Sequence, residues 1–528
     1  MSNHAYESAA ALRPSSNGPI PISTLCERFS LAPASAEDAA ALNDLSILGV
    51  SVDSADTAPG ELFVGLPGFT VHGARFAADA VASGAVAVLT DADGAQIVHQ
   101  TAPGTPVLVH SDPRAVVGPL SAEVYHHPAR GLVTTAVTGT NGKTTTAYFL
   151  DAILSAHVGG CMVAGTVELR VGERSVESPR TTVEAPVLQR MMALAVEDKV
   201  GAASLEASSH AIVLHRLDGI VVDVAGFTNL QRDHLDFHKT MEGYLEAKAQ
   251  LFTPEHARRG VVCVDDQWGA ALAAKAPIEI DRVRAYPGDT PADWWVSDAT
   301  VSLTDSATTF TLHGPRSERI EASCPLPGLV NVQNAALALV MAIRAGVPAA
   351  TATAALAGAH NIPGRMQRIS QRDGQRGLCI VDFAHTPDAM ELALKAVRPI
   401  TPGRLIVVFG SDGDRDQGKR PMLGEVCARL ADVLVVTDEN PRSEDPQLIR
   451  NAILEGVRSV RPDLEDVEEV TTWRGDAVRR GVELCGPQDT VIVTGKGHEP
   501  FLEAAGEFIR YNDAPVMAEA VEQKWGRG

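Results

Sequence analysis

Short apolar runs, each ending in a polar or glycine-bearing loop, recur along most of this chain, and stretches with helical spacing fill the intervals between them. "ELFVGL" and "GAVAVLT" alternate with Gly and Pro turns and enclose the helically spaced "ARFAADAVASG", which predicts a small α/β domain over residues 1–127. Roughly the first fifteen residues are small and polar, and disorder is expected there. "LVTTAVT" (132–138) then reads as a buried strand and leads into "GTNGKTTTAYFLDAILSAH", where Ala147, Leu150 and Leu154 with Phe149 and Ile153 line one helical face. Further strands are expected at "AASLE" (202–206), "VVDVAGFT" (221–228) and "GVVCVDD" (260–266). Their alternation with helical stretches predicts a parallel sheet in a central domain, residues 128–361. A third, Rossmann-like domain, residues 362–528, repeats the alternation with "LCIVDFA", "RLIVVFG", "ADVLVVT" and "DTVIVTG". The expected fold is therefore α/β in three domains. Ligands of open parallel sheets bind beyond the carboxyl ends of the strands, so the loops after these runs are where chemistry is expected.

The first such loop, "TGTNGKTTT" (138–146), carries the GK[ST] core of a phosphate loop between a strand and a helix. Gly139 and Gly142 let backbone N–H groups turn toward phosphate oxygens, Lys143 brings a positive charge, and Thr144 can reach Mg²⁺. Val137 stands where the strict spacing wants a first glycine. Alone, this loop does not separate a kinase, a ligase or a switch ATPase. Glu206, at the carboxyl end of an expected strand, is a plausible magnesium ligand, although an exposed acid at a strand end is as common. His234 lies among acids in "NLQRDHLDFH", where a structural histidine is the commoner reading, and Lys248 in "YLEAKAQLF" reads first as a lysine extended to solvent.

Composition narrows the partners. The 66 acids against 45 bases give a net charge of −21, which argues against nucleic acid and anionic membranes as partners and demands a local site for any anionic substrate. Seven cysteines with no CxxC pair suggest reduced thiols rather than a disulfide framework or a zinc cluster. No apolar run approaches the roughly 20 residues that span a bilayer, and the N-terminus lacks a signal peptide's apolar core, so the cytoplasm is expected.

Taken together, "GTNGKTTT", "EASSH", "FTNLQRDHLDFH" and "YLEAKAQLF" occur in the order and spacing of the Mur ligases, the ATP-dependent amino-acid ligases of peptidoglycan synthesis. The chain resembles that family from about residue 45 to near its C-terminus. The resemblance implies catalytic roles for Lys143, Glu206, His234 and Lys248. It implies that Gly139, Thr140, Asn141, Gly142, Lys143, Thr144 and Thr145 hold ATP, with Asn331 and Asn334 of "LPGLVNVQNAALAL" near the adenine. It also implies Mg²⁺ held by Thr144, Glu206, His234 and a carbamylated Lys248 (N6-carboxylysine). Carbamylation would replace a cation that repels the metal by an anion that can bind or position it.

Several loops are similar to the branch of the family that adds a diamino acid to UDP-MurNAc-L-Ala-D-Glu. "VSVDSADTAPGELFVGLPGFTVHG" resembles its uridine-holding domain, with Ser54 at a uridine-contacting position and Ala55 where the family usually has arginine. "RTTVEAP" resembles the segment gripping the muramoyl dipeptide, which implies that Thr181, Thr182, Ser208 and Arg216 hold its oxygens; Leu214 replaces a glutamine found in some relatives. In the third domain "VDFAHTPD", "GDRDQGKRP", "DENPR" and "GKGHE" place Asp382 and His385, Arg415, Glu439 to Arg442, and Gly495 with Glu499 after four successive strands. The implied amino-acid site comprises Arg415, Glu439, Asn440, Pro441, Arg442, Gly495 and Glu499, with the arginines facing carboxylates and Asn440, Gly495 and Glu499 the ammonium end. Arg442 favours meso-2,6-diaminopimelate. Glu439, where the usual motif has aspartate, leaves lysine, ornithine or another diamino acid open. The implied reaction passes through an acyl phosphate, and the implied enzyme is a monomer. A related amide ligase, such as a folylpolyglutamate synthetase or a cyanophycin-type ligase, shares the phosphate loop, as would a regulatory ATPase. The uridine-type loop and the pair "DENPR" and "GKGHE" argue against the first, and the dipeptide-gripping residues against the second.

Overall fold

The computed structural model describes residues 9–302, 307–359 and 362–526. The chain separates into two compact units, residues 1–294 with 337–355, and residues 295–336 with 356–528.

In the first unit, a five-stranded sheet is built from β1 (Ala32–Pro33), β2 (Gly49–Ser51), β3 (Glu61–Val64), β4 (Ala87–Thr90) and β5 (Val107–Val109), in the order β1-β5-β4-β3-β2. All its pairs are parallel except β1 with β5. A larger sheet follows, from β6 (Val133–Thr138), β7 (Cys161–Ala164), β8 (Glu168–Val171), β9 (Arg174–Glu177), β10 (Ala202–Glu206), β11 (Val222–Phe227), β12 (Ala257–Cys263) and β13 (Glu279–Arg284). These strands lie in the order β9-β8-β7-β10-β6-β11-β12-β13, which sets β6 in the middle with β10 and β11 beside it, all parallel. Ala136, Val137, Ala203, Leu205, Ala225 and Phe227 are fully buried, the burial on both faces that continuous apolar runs demand. Helices α1 (Lys143–Val158), α2 (Ala185–Glu197), α3 (Ser209–Val213) and α4 (Met241–Ala249) occupy the intervals.

In the second unit, β14 (Thr308–His313) and β15 (Arg319–Cys324) form an antiparallel pair, and helix α5 (Leu329–Arg344) begins. A six-stranded sheet follows: β16 (Gln367–Ser370), β17 (Leu378–Val381), β18 (Leu405–Phe409), β19 (Val433–Val436), β20 (Val467–Glu469) and β21 (Thr490–Val493), in the order β16-β17-β21-β18-β19-β20. Only β16 runs antiparallel. The hairpin β22 (Phe501–Ala504) and β23 (Glu507–Arg510) follows, and helix α6 (Arg474–Leu484) precedes β21. The fold is α/β, as the alternation of runs predicted.

The structure departs from expectation at the N-terminus. Residues 1–8 lie outside the described residues, but Ala9–Ala11 form a helical turn, Leu12 is fully buried, and Arg13 is paired with acids. Small residues favour disorder only when they have nothing to dock on, and here one leucine enters the core of the larger sheet. Residues 360 and 361, where the second expected domain boundary falls, lie outside the described residues. No helix among the described residues is long and apolar enough to cross a membrane.

Candidate active site

The phosphate loop leaves the carboxyl end of β6 and enters α1. Gly139 (φ +146°) and Gly142 (φ +91°) hold the left-handed geometry that the turn requires. A Cβ at Gly139 would stand 1.8 Å from Thr228 Oγ1, so the turn is closed to any side chain. The loop after β11 braces it: Thr228 Oγ1 donates to Asn141 O at 2.6 Å, and Asn141 N donates to Asn229 Oδ1 at 3.1 Å. Thr140 Oγ1 donates to Gln231 O (3.3 Å), and Thr145 is buried in the first turn of α1. Lys143 curls back so that its Nζ donates to Gly139 O (3.0 Å) and Thr140 O (2.8 Å).

Glu206, at the end of β10, is not the exposed strand-end acid that its position alone allows. It is 1 % exposed, and its carboxylate accepts from Thr144 Oγ1 (3.0 Å), Thr166 Oγ1 (2.9 Å) and Thr166 N (2.8 Å). A buried carboxylate held by neutral donors is an anion in search of a counter-charge, which suits a divalent cation. Thr166, which follows β7, carried no motif in the sequence.

Lys248 is likewise buried rather than extended to solvent. Its Nζ donates to Gly139 O at 2.8 Å and stands 4.4 Å over the Tyr244 ring. Burial, and then the charge of Lys143, push this amine well below the ordinary lysine range, which favours the neutral, nucleophilic form. His234 adopts a left-handed conformation (φ +52°), with its ring edge-on to His210 (4.9 Å between centroids) and Nε2 3.3 Å from Asp233. Burial lowers its pKa; Asp233 opposes that shift, and the charges of Lys143 and Lys248 add to it. A neutral imidazole is the form that ligates metals. Among the described residues no three His, Cys, Asp or Glu side chains are arranged as a metal site. The structure brings the Thr144 hydroxyl and the Glu206 carboxylate together, oxygen donors of the kind that suit a hard divalent cation.

The expected dipeptide grip is drawn together around Thr182. Its hydroxyl donates to the backbone carbonyl of Glu206 (2.7 Å) and accepts from Ser208 N (3.0 Å), while Arg216 Nη1 donates to Thr182 O (3.1 Å). Ser208 also caps α3, and Thr181 Oγ1 lies 3.2 Å from Thr166 Oγ1. Arg216 pairs with Glu184 at 2.9 Å, and Arg180 and Arg114 approach the same carboxylate at 3.1 and 3.7 Å. Arg114 Nη1 donates to the carbonyl of Leu214 (3.4 Å). None of Glu184, Arg180 and Arg114 was expected in the site, though the first two flank the quoted "RTTVEAP" threonines. Ser54 sits in a short turn whose first residue, Asp53, accepts from Ala55 N.

In the second unit, Asn331 and Asn334 lie one turn apart on α5; Asn331 Nδ2 donates to Pro327 O (2.8 Å), and Asn334 is buried. The loops after β17, β18, β19 and β21 converge. Asn440 Nδ2 donates to Asp412 (3.0 Å) and Glu499 (3.1 Å), and its Oδ1 accepts from Lys496 Nζ (2.9 Å). Lys496, fully buried inside the "GKGHE" motif, also reaches Glu499 at 3.0 Å and is not among the residues expected in the site. Pro441 closes over Gly413, and Asp382 accepts from Met366 N and Ala384 N. His385 Nδ1 lies 2.9 Å from Phe383 O.

Two residues of this site differ from a simple carboxylate clamp. Arg442 (φ +55°) lies between Glu503 (3.5 Å) and Asp412 (3.9 Å), so acids already balance it; Arg415 stands exposed outside this network. Glu439 is 3 % exposed, with no hydrogen-bond partner for Oε2 among the described residues. A Cβ on Gly495 (φ +108°) would meet that oxygen at 2.5 Å. Burial, then repulsion from Asp412, pushes the Glu439 carboxyl up to about 8, against Lys419 and Arg474 and with a further push from Glu499.

Known proteins match the chain in three successive parts. Residues 46–125 match the model for the Mur ligase family catalytic domain, 137–342 the Mur ligase middle domain, and 364–497 the glutamate ligase domain of Mur ligases. The chain is 44% identical over 483 residues to the UDP-N-acetylmuramoyl-L-alanyl-D-glutamate--2,6-diaminopimelate ligase of Streptomyces avermitilis, covering 92% of this chain and 94% of that protein. It is 42% identical over 508 residues to the UDP-N-acetylmuramyl-tripeptide synthetase of Leifsonia xyli, covering 95% and 96%. Among solved structures, a UDP-N-acetylmuramoyl-L-alanyl-D-glutamate--2,6-diaminopimelate ligase superposes with a TM-score of 0.63 at 31% identity, covering 91% of this chain and 95% of that one. MurF from Acinetobacter baumannii reaches 0.67 at 19% identity, covering 96% and 99%, a likeness of fold. With its phosphate loop, buried strand-end glutamate and convergent third-domain loops matched along nine-tenths of its length, the chain belongs to the Mur ligase family.

Proposed function

We propose that this chain is an ATP-dependent, ADP-forming ligase of peptidoglycan precursor synthesis that joins meso-2,6-diaminopimelate to the D-glutamyl carboxylate of UDP-MurNAc-L-Ala-D-Glu. The observation that carries the reading is the double use of Glu206: its side chain accepts from Thr144 of the phosphate loop, and its backbone carbonyl accepts from Thr182 of the dipeptide grip. One residue thus ties the nucleotide-binding loop to the segment holding the carboxylate to be activated. The sequence matches support a division of labour: residues 1–127 for the UDP-muramoyl substrate, 128–361 for ATP, and 362–528 for the amino acid.

Gly139 to Thr145 would cradle the phosphates through backbone N–H groups, and Lys143 would leave its two carbonyls for the transferring phosphoryl group. Thr182, Ser208 and Arg216 would orient the D-glutamyl carboxylate for attack on the γ-phosphate, giving an acyl phosphate and ADP. The amine of the diamino acid, after giving up a proton to a base, would then attack the activated carbonyl and expel phosphate, while Asn440, Gly495 and Glu499 would hold the ammonium end. Mg²⁺ bound by Thr144 and Glu206, with His234 and a carbamylated Lys248, would supply charge neutralisation at the phosphoryl oxygens. We place the enzyme in the cytoplasm, which supplies its ATP, as a monomer.

A second reading, with lysine, ornithine or another diamino acid as the incoming group, is favoured by Arg442, which Asp412 and Glu503 already balance. The test is phosphate release from ATP with meso-diaminopimelate, LL-diaminopimelate, lysine and ornithine in turn. Release is expected only when UDP-MurNAc-L-Ala-D-Glu and a diamino acid are both present; release indifferent to omitting either would sink the ligase assignment.

A further inference from the structure

Arg13 crosses from the N-terminal segment to two acids beside the turn that holds Ser54. Its guanidinium donates to the Glu61 carboxylate and to Asp56 O, and lies 3.4 Å from Asp56 Oδ1. Glu61 is buried at the start of β3, and its other oxygen accepts from Ala58 N at 2.9 Å. Asp56, the last residue of the Ser54 turn, is gripped from the opposite side by Arg190 of α2, through Nη1 (2.9 Å) and Nη2 (3.3 Å). Arg190 is 1 % exposed and also donates to the carbonyls of Ala9 (2.7 Å) and Leu12 (3.2 Å). Farther along the segment, Ser15 N and Oγ bond Glu197, the last residue of α2.

Buried Glu61, half-buried Asp56 and the two arginines thus form a closed bracket between the Ser54 turn and α2. That helix starts at Ala185, with Val183 and Glu184 between it and Thr182. The bracket therefore spans from the turn at the nucleoside end of the proposed substrate to the helix that follows its dipeptide end. A substrate held at both ends gains from each contact only if the spacing between them is fixed beforehand.

We propose that Arg13 is a positioning residue for the UDP-linked substrate, locking the Ser54 turn in register with α2 through Asp56 and Glu61. It touches no reacting atom, and the role rests on the substrate assignment above. The bracket is a partly buried ion-pair cluster, and removing Arg13 leaves the buried Glu61 without its cationic partner and takes one of two arginines from the Ser54 turn.

The test compares Arg13→Ala and Arg13→Lys with the unaltered full chain by steady-state phosphate release, varying UDP-MurNAc-L-Ala-D-Glu and ATP separately. Arg13→Ala is expected to raise KM for the UDP-linked substrate about tenfold while KM for ATP and kcat stay within about twofold, and Arg13→Lys to recover part of the loss. An unchanged KM for the UDP-linked substrate, or parallel shifts in both KM values and kcat, would overturn the proposal. If Arg13→Ala does not fold, the same split in Arg13→Lys decides, and a normal KM there assigns Arg13 to folding alone and overturns it. An unaltered chain inert toward the UDP-linked substrate would instead overturn the substrate assignment.

Discussion

Lys143 and Lys248 donate to the same oxygen, the carbonyl of Gly139, at 3.0 and 2.8 Å. Burial, and after it the charge of Lys143, push the Lys248 amine well below the ordinary lysine range and favour its neutral form. A neutral amine in a site that awaits an anion is poised to add CO₂. Lys248→Ala is expected to lose most activity and regain some with small added carboxylates, and ¹³C-bicarbonate should give a carbamate resonance in the wild type that the variant lacks. Full activity in the variant, or no resonance in an active wild type, counts against this chemistry.

The Glu206 carboxylate accepts from the hydroxyls of Thr144 and Thr166 and from Thr166 N. Glu206→Gln keeps the side chain's size but removes the charge that suits a divalent cation and turns one accepting oxygen into a donor. The Mg²⁺ concentration for half-maximal phosphate release should rise about tenfold or more. A Mg²⁺ titration that superposes on the wild type would remove Glu206 from the metal's ligands.

Glu439 holds its proton up to about pH 8 when folded, mainly because it is buried. The unfolded side chain releases that proton near the ordinary glutamate value, so the folded state binds more protons in between. Stability should accordingly fall as pH rises between about 5 and 8, and Glu439→Gln should flatten that decline. Urea midpoints across this range check the slope, and an identical slope in the variant refutes the assignment.

Arg474 and Asp513 are both fully buried and pair through two bonds of 2.9 and 2.8 Å. Arg474 also donates to the carbonyls of Asp438 (2.9 Å) and Thr494 (2.8 Å), tying together the loops after β19 and β21. Arg474→Ala leaves a buried carboxylate unpaired and should cost about 3–5 kcal/mol in urea unfolding. A loss below about 1 kcal/mol would mean that the pair relaxes into water.

These cases separate what could be read from the chain and what could not. The strands before the four third-domain loops, and the phosphate loop itself, were legible because apolar period and glycine spacing are local signals. Glu206 and Lys248 were found only through their motif context, since burial is set by neighbours distant in sequence. Thr166, Lys496 and the Arg474–Asp513 pair escaped notice because each acts through a partner brought in by the fold. Arg13 was hidden most completely: a small-residue segment reads as disorder until Arg190 and Glu61 are seen waiting for it.

The contact between Glu439 and the bare face of Gly495 constrains how this sequence can drift. The two positions share one volume, and glutamate at 439 has taken the part that a methyl group at 495 would need. Position 495 is already held to glycine by its backbone (φ +108°), and the Glu439 oxygen adds a second obstacle to any side chain there. Glutamate at 439 thus gives position 495 two separate reasons, one in the backbone and one in a facing side chain, to stay glycine.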